Sequence, residues 1–264
     1  MAIINGRGRV GVRTPIDLSN PLWNSLVAGW KLDGDFNDVL GVANGTPING
    51  AGFTTGKINQ GVLGNGGITD NTAKYIDFGN SISQRNLNFP ITISTWVNKQ
   101  YLTTGGCRMI FLDGELGNTS VSGAWLQITN LNNTTDKLSR IRAGFGNGGS
   151  NISSNFKEYW TGFVVPNDIW SHIVVVINNN SDFKFYLNGV EVASTLLSGT
   201  ATNIGWSGKK TQIGANNNVG INNYSSTWPS FRGIMDETYI WNRVLTQTDI
   251  TELYNSNVGK QYPN

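Results

Sequence analysis

Trp170–Ser194 reads WSHIVVVINNNSDFKFYLNGVEVAS. Val174, Val175, Val176 and Ile177 form an apolar run of β-branched residues, which suit a pleated, buried surface. Asn178 to Ser181 break the run. Phe183, Phe185 and Leu187 then alternate with Lys184 and Tyr186, the period of a strand. Asn188-Gly189 follows, and both residues accept the positive φ of a type I′ turn. A two-residue loop there sets Leu187 opposite Val190, Tyr186 opposite Glu191 and Phe185 opposite Val192. A one-residue slip would carry the apolar set into water, so the register is firmly specified. The stretch predicts a hairpin whose inner face holds Phe183, Phe185, Val190 and Val192, with His172 packed beside them. The rest of the chain reads as strands that cover it.

Composition points the same way. The chain has 264 residues, 33 of them Gly, and only 14% are charged, a mix that suits an all-β domain with many turns. A net charge of +2 is too small to imply a nucleic-acid partner. Cys107 is the one cysteine, so no intrachain disulfide forms, and within CRMIFL it reads as a buried, inert thiol. No apolar run reaches the ~18 residues that span a bilayer, so no membrane insertion is expected. The opening MAIINGRGRVGV lacks an apolar h-region, and no secretory signal is expected.

Outward from the hairpin, strands are expected over 26–32, 75–78, 91–97, 107–112, 124–129, 138–145, 160–165, 211–214 and 232–241. Asp33-Gly34-Asp35 reads as a turn, with Asp33, Asp35 and Asp38 clustered there, and a Gly- and Asn-rich connection fills the stretch to about Gly56. One helix is predicted near the C-terminus. Thr246 caps it, Asp249 three residues on completes a capping box, and Ile250, Leu253 and Tyr254 share a face. Residues 1–21 read as an N-terminal arm, docking or poorly ordered, in which Arg7, Arg9 and Arg13 alternate with Gly and Val. Residues 22–256 form one domain, and 257–264 a short tail.

Several fragments, taken in order, resemble one family. They are LVAGWKLDGDFND (26–38), NGT (44–46), AKYIDFGN (73–80), PITISTWVN (90–98), the opening hairpin, IGANN (213–217) and FRGIMDETYIWNRVLTQTDITELYN (231–255). The chain is similar to the laminin-G-like jelly rolls of the concanavalin A-like superfamily. The resemblance implies an all-β, two-sheet antiparallel jelly-roll sandwich with one short C-terminal helix. It also implies one structural Ca2+ held by oxygen ligands at Asp33, Asn44, Gly45 and Asp236.

Catalysis has little support. His172 is the only histidine and reads as structural, and no nucleophile-elbow sequence accompanies it. The glycosidases on this fold carry E-x-D-x-x-E along a strand; none of Glu115, Glu158, Glu191, Glu237 and Glu252 begins that pattern. Asp236 and Glu237 are adjacent, so strand alternation should send them to opposite faces, away from the shared bond that a carboxylate pair must flank. The chain is therefore expected not to be an enzyme. Ligand binding has more: Trp125, Trp160, Trp206, Tyr224 and Trp228 lie in or near loop-rich stretches, where aromatic faces stack on sugar rings.

The expected function is that of a non-enzymatic virion surface protein: a head fibre, decoration or tail-fibre component of a tailed bacteriophage. Such a protein is made in the host cytoplasm, needs no signal, and reaches the exterior on the particle. The arm would bind other virion proteins or sister subunits, with a trimer as one homo-oligomer. The jelly roll would face outward for adhesion to a cell-surface glycan. The alternatives are a free, extracellular carbohydrate-binding lectin and, further off, a glycoside hydrolase.

Overall fold

A computed structural model describes residues 20–65, 73–79, 87–100, 106–117, 119–130, 139–206, 208, 210–216 and 230–263. Its strands build two eight-stranded antiparallel sheets packed face to face. The first sheet runs β13 (Val190–Val192), β12 (Asp182–Leu187), β11 (Trp170–Asn179), β6 (Ile91–Lys99), β16 (Arg232–Trp241), β4 (Gln60–Asn65) and β3 (Phe53–Thr55), and β1 (Leu26–Trp30) also pairs with β16. The second runs β14 (Ser194–Gly199), β10 (Phe156–Val164), β9 (Arg140–Asn147), β8 (Val121–Asn130), β7 (Gly106–Leu116), β15 (Thr211–Ile213), β5 (Tyr75–Asp77) and β2 (Thr46–Ile48). This is the jelly-roll sandwich that the family resemblance implies.

The hairpin forms in the expected register: Phe185 opposite Val192, Tyr186 opposite Glu191, Leu187 opposite Val190. Asn188 and Gly189 take φ of 52° and 80°, and the Asn188 Oδ1 accepts the His172 N–H at 2.8 Å, tying the turn back to β11. Ile173, Val175, Ile177, Phe183, Phe185 and Leu187 face the second sheet and enter the main core. Val174, Val176 and Tyr186 face the other way and enter a second core. Both faces of β11 are buried, which is why its sequence is an unbroken apolar run rather than an alternation. Two expectations need correcting. Val190 is 65% exposed, because it opens a three-residue strand, β13, at the edge of the sheet. His172 lies on the outer face, grouped with Trp96 (4.9 Å between ring centres) and Tyr254 (6.2 Å), not beside Phe183 and Phe185.

The second core is closed by chain from both ends of the domain. Helix α1 (Gln247–Tyr254) starts at the capping box that its sequence predicts: the Thr246 Oγ1 accepts the Asp249 N–H, and the Asp249 carboxylate accepts the Thr246 N–H at 2.8 Å. Ile250 and Leu253 are buried under it. A single 3-10 turn, Pro21–Trp23, lies alongside, with Trp23 stacked on Trp241 at 6.0 Å and Tyr262 of the tail edge-on to Trp23 at 5.2 Å. Arg243 holds helix and turn together, donating to both Asp249 oxygens and to the carbonyls of Pro21, Leu22 and Asn24.

Strands β2 and β3 occupy stretches that read as irregular connection, and β14 is also unforeseen. All three are edge strands of three to six residues with mixed burial, too short to show a period. Strands β7 and β8 run several residues beyond their expected ends, β9 is shifted by two, and the three form one meander. At its centre lies Asp113, wholly buried, with one oxygen accepting the Thr211 hydroxyl at 2.7 Å and the other without a partner. Burial pushes its pKa up to about 7, against the opposing pull of that hydroxyl. A carboxyl whose folded pKa lies above its unfolded value stabilises the fold fully below pH ~4, and that contribution is lost as pH rises towards 7. Asp113→Asn removes the ionisation but leaves a buried amide incompletely bonded. It is expected to raise stability at pH 8 by on the order of 2 kcal/mol and to flatten the profile between pH 4 and 8. Urea denaturation across that range measures both effects.

Candidate functional site

The loop after β1 builds one wall of a concavity at the sandwich rim. Leu32 takes φ 61° and Gly34 φ 89°, turning the chain sharply at the strand end. Asp38 then fixes the loop from inside: its carboxylate accepts the N–H groups of Gly29 (2.9 Å), Val42 (3.1 Å) and Ala43 (3.1 Å). Phe36 anchors the middle by stacking on Phe53 at 4.5 Å. Leu40 and Val42 of the loop stay exposed, and Val39 shares the lining of the concavity with polar residues. Lys31, Asp33, Asp35, Asn37, Asn59 and Gln261 line a depression of about 500 Å3, with Tyr262 and Pro263 along one side. Asp33 is held by Gln60 N–H and Asn59 Nδ2, each at 3.0 Å, and by Gln261 Nε2. Gln261 also donates to Glu237 at 2.6 Å, so one tail amide bridges two carboxylates.

Asp236 and Glu237 stand behind this wall. Register slips between Asp236 and Tyr239, and Glu237 takes φ 48°, so a bulge replaces simple strand alternation. Both carboxylates consequently lie in the field of Asp33, which corrects the expectation of two opposed side chains. Burial raises Asp236 to about 8 and Glu237 well above the usual carboxylate range, and the Tyr239 hydroxyl donates to Glu237.

The four positions implied for calcium do not converge. Both Asp236 oxygens are taken by backbone N–H groups, those of Lys57 (2.7 Å), Ile58 (3.0 Å) and Glu237 (2.8 Å). Asn44 spends its side-chain oxygen on the Asp38 N–H at 3.0 Å, and it lines a second depression, with Thr46, Asp77 and Lys210, rather than the one that Asp33 lines. The Gly45 N–H bonds the Phe36 carbonyl at 2.7 Å. Among the described residues no group of three or more His, Cys, Asp or Glu is arranged to hold a metal. These residues do not fit a calcium ion as one set, so neither chelator nor added Ca2+ is expected to move the melting temperature by more than about 1 °C, whereas a bound ion at saturation adds several kcal/mol.

The aromatic candidates separate. Trp125 is fully buried on the outward side of β8, its ring filling the space where a side chain on Gly144 would sit, so it offers no face to a ligand. Trp160 is half-buried, carries the Arg140 guanidinium 4.7 Å from its ring, and donates to Thr195 Oγ1 at 3.0 Å. Trp206 packs against the main core and donates to the Leu87 carbonyl at 2.9 Å. Tyr224, Trp228 and the arm residues Arg7, Arg9 and Arg13 lie outside the described residues. His172 meets Ser94 at 2.9 Å, but both are buried, burial drives the imidazole down to about 3, and its Nδ1 has no partner to orient it. That is a packed pair, not an activated nucleophile.

The sequence reading noted the clustered Asp33, Asp35 and Asp38. It missed Lys31, Asn37, Asn59, Gln261 and Tyr262, which reach the depression from three separate parts of the chain.

A two-sheet jelly roll with a polar rim depression defines a class shared by lectins and glycosidases alike. A family model described as the concanavalin A-like lectin/glucanases superfamily, of laminin G type, matches residues 70–251, and the chain belongs to that family. Among solved structures, it is similar to domain 4 of AbnA, a GH43 extracellular arabinanase from Geobacillus stearothermophilus, in complex with arabinotriose (20% identity, TM-score 0.59, 89% of this chain and 98% of that one). It is also similar to the binding domain of Paraclostridial Mosquitocidal Protein 1 (17%, TM-score 0.60, 89% and 53%) and to the botulinum neurotoxin serotype C1 binding domain (15%, TM-score 0.60, 89% and 53%). The chain spans about half the length of those two toxin domains. No curated protein sequence matches it significantly. Among the described residues no helix is long and apolar enough to cross a membrane.

Proposed function

We propose that this chain is a non-enzymatic glycan-recognition module displayed on a virion, as a head fibre, decoration or tail-fibre component. The observation that carries the recognition half is the depression beside β1. Its carboxylates, amides and ammonium group converge on a space of about 500 Å3, within the usual range for small-ligand sites. Sugar hydroxyls both donate and accept, so a rim of Asp, Asn, Gln and Lys suits them, and Tyr262 adds an aromatic edge. Support for the class comes from the family and from a relative whose structure holds arabinotriose. The virion half rests on sequence alone, on the Arg-bearing arm read as a docking segment.

Two experiments test it. On a glycan array, Asp35→Ala with Asn37→Ala should lower binding at least about tenfold while the melting temperature stays within about 2 °C, since both side chains are exposed. Unchanged binding would move the site elsewhere. Mass spectrometry of purified particles should detect the chain, and deletion of residues 1–20 should remove it from them. Absence from every particle would sink the virion reading and leave a free lectin.

A further inference from the structure

We infer that the depression beside β1 takes neutral or amino-bearing saccharides and rejects glycans that carry a carboxylate or sulfate. This rests on the glycan-binding reading above and adds to it the charge of the ligand. Among the described residues that line the depression, Lys31 is the only cation, against Asp33, Asp35 and Asp38. Lys31 is also not available as an uncompensated charge, because Asp33 and Asp35 both act on it. Asp38 is consumed by the loop's own N–H groups, but Asp33 faces the depression and Asp35 is exposed at its mouth.

An anionic sugar entering here brings a like charge towards two carboxylates in a partly desolvated pocket. Each such approach weakens binding by about tenfold at a separation of roughly 6 Å and an intermediate effective dielectric. A hydroxyl meets the same carboxylates as a donor, and an amino group meets them as a charge-assisted donor. The chain as a whole carries a net charge of +2, which would favour anions slightly. The selectivity is therefore a property of this depression and opposes the overall charge.

The test is a glycan array printed with matched cores, with and without terminal sialic acid, probed with the full chain and with Asp35→Asn. Asparagine retains the side-chain oxygen that accepts the Asn37 N–H at 2.9 Å, so the loop is preserved. The wild-type protein should favour asialo cores by tenfold or more, and Asp35→Asn should close about tenfold of that gap, read for each protein as the ratio of asialo to sialylated binding on the same core. The gap should also shrink as salt is raised. Sialylated cores bound equally or more tightly by the wild type would overturn the selectivity while leaving glycan recognition standing. A gap unchanged in Asp35→Asn would overturn the assignment to this depression. No binding to any core would overturn the proposed recognition function and this inference with it.

Discussion

Gly123→Ala is expected to destabilise the protein by about 4–5 kcal/mol, enough to leave little soluble folded protein. Gly123 pairs with Gly114 across β7 and β8, and both hold positive φ, 71° and 126°. A methyl group on Gly123 would sit 1.6 Å from the Asp113 carbonyl oxygen and 3.0 Å from the Gly114 Cα. Those atoms are backbone inside a paired sheet and cannot swing aside as a side-chain tip could. The left-handed conformation adds about 1 kcal/mol for any residue with a Cβ. Gly148→Ala isolates that last contribution: its φ is 93° and nothing lies within 4 Å of the added methyl. The control should lose only about 1 kcal/mol. Equal losses for the two variants, measured by urea denaturation, would show that the clash is relieved and the close approach matters little.

Arg142→Met is expected to cost about 3–5 kcal/mol at neutral pH. Arg142 and Glu158 are opposing charges on the outward face of the second sheet, 7% and 4% exposed. The guanidinium donates to Glu158 Oε2 through Nε at 2.9 Å and through Nη2, and to the Cys107 sulfur through Nη1 at 3.1 Å. Burial raises the Glu158 pKa and Arg142 opposes that rise. Without Arg142 the carboxyl must take up a proton or stay charged without its partner. Its folded pKa then lies further above the unfolded value, so the folded state holds the proton more strongly and stability falls as pH rises through that interval. The deficit of Arg142→Met should therefore be larger at pH 8 than at pH 5. Arg142→Met combined with Glu158→Leu should recover most of the loss, because the stranded charge, rather than the missing attraction, carries most of the cost. A double variant as unstable as the single one would contradict this account.

How much of this was legible in the sequence depends on the range of the interaction involved. The type I′ turn at Asn188-Gly189 and the capping box at Thr246 and Asp249 are local, made by residues within four positions of each other, and both form as read. The position of His172 was misread by one face. Alternation assigns two faces to β11, but both faces are apolar, and only the arrival of α1 and the Pro21–Trp23 turn shows which is which. Asp236 and Glu237 were misread because a bulge is a mismatch between two strands and leaves no period in either one. Trp125 looked like a ligand platform because aromatic residues serve cores and sites equally; its burial is set by neighbours on β7 and β9.

The sequence by itself determined the class of fold, the hairpin register and the helix, since periodicity, turn residues and caps act over a few bonds. It also pointed to the Asp-rich loop after β1. The tertiary structure alone decided which outer face α1, Trp23 and Tyr262 cover and which glycines lie too close for a side chain. It also decided that Gln261 reaches across 228 positions to Asp33 to complete the depression. Those are properties of surfaces brought together by packing, and no window of sequence contains both partners.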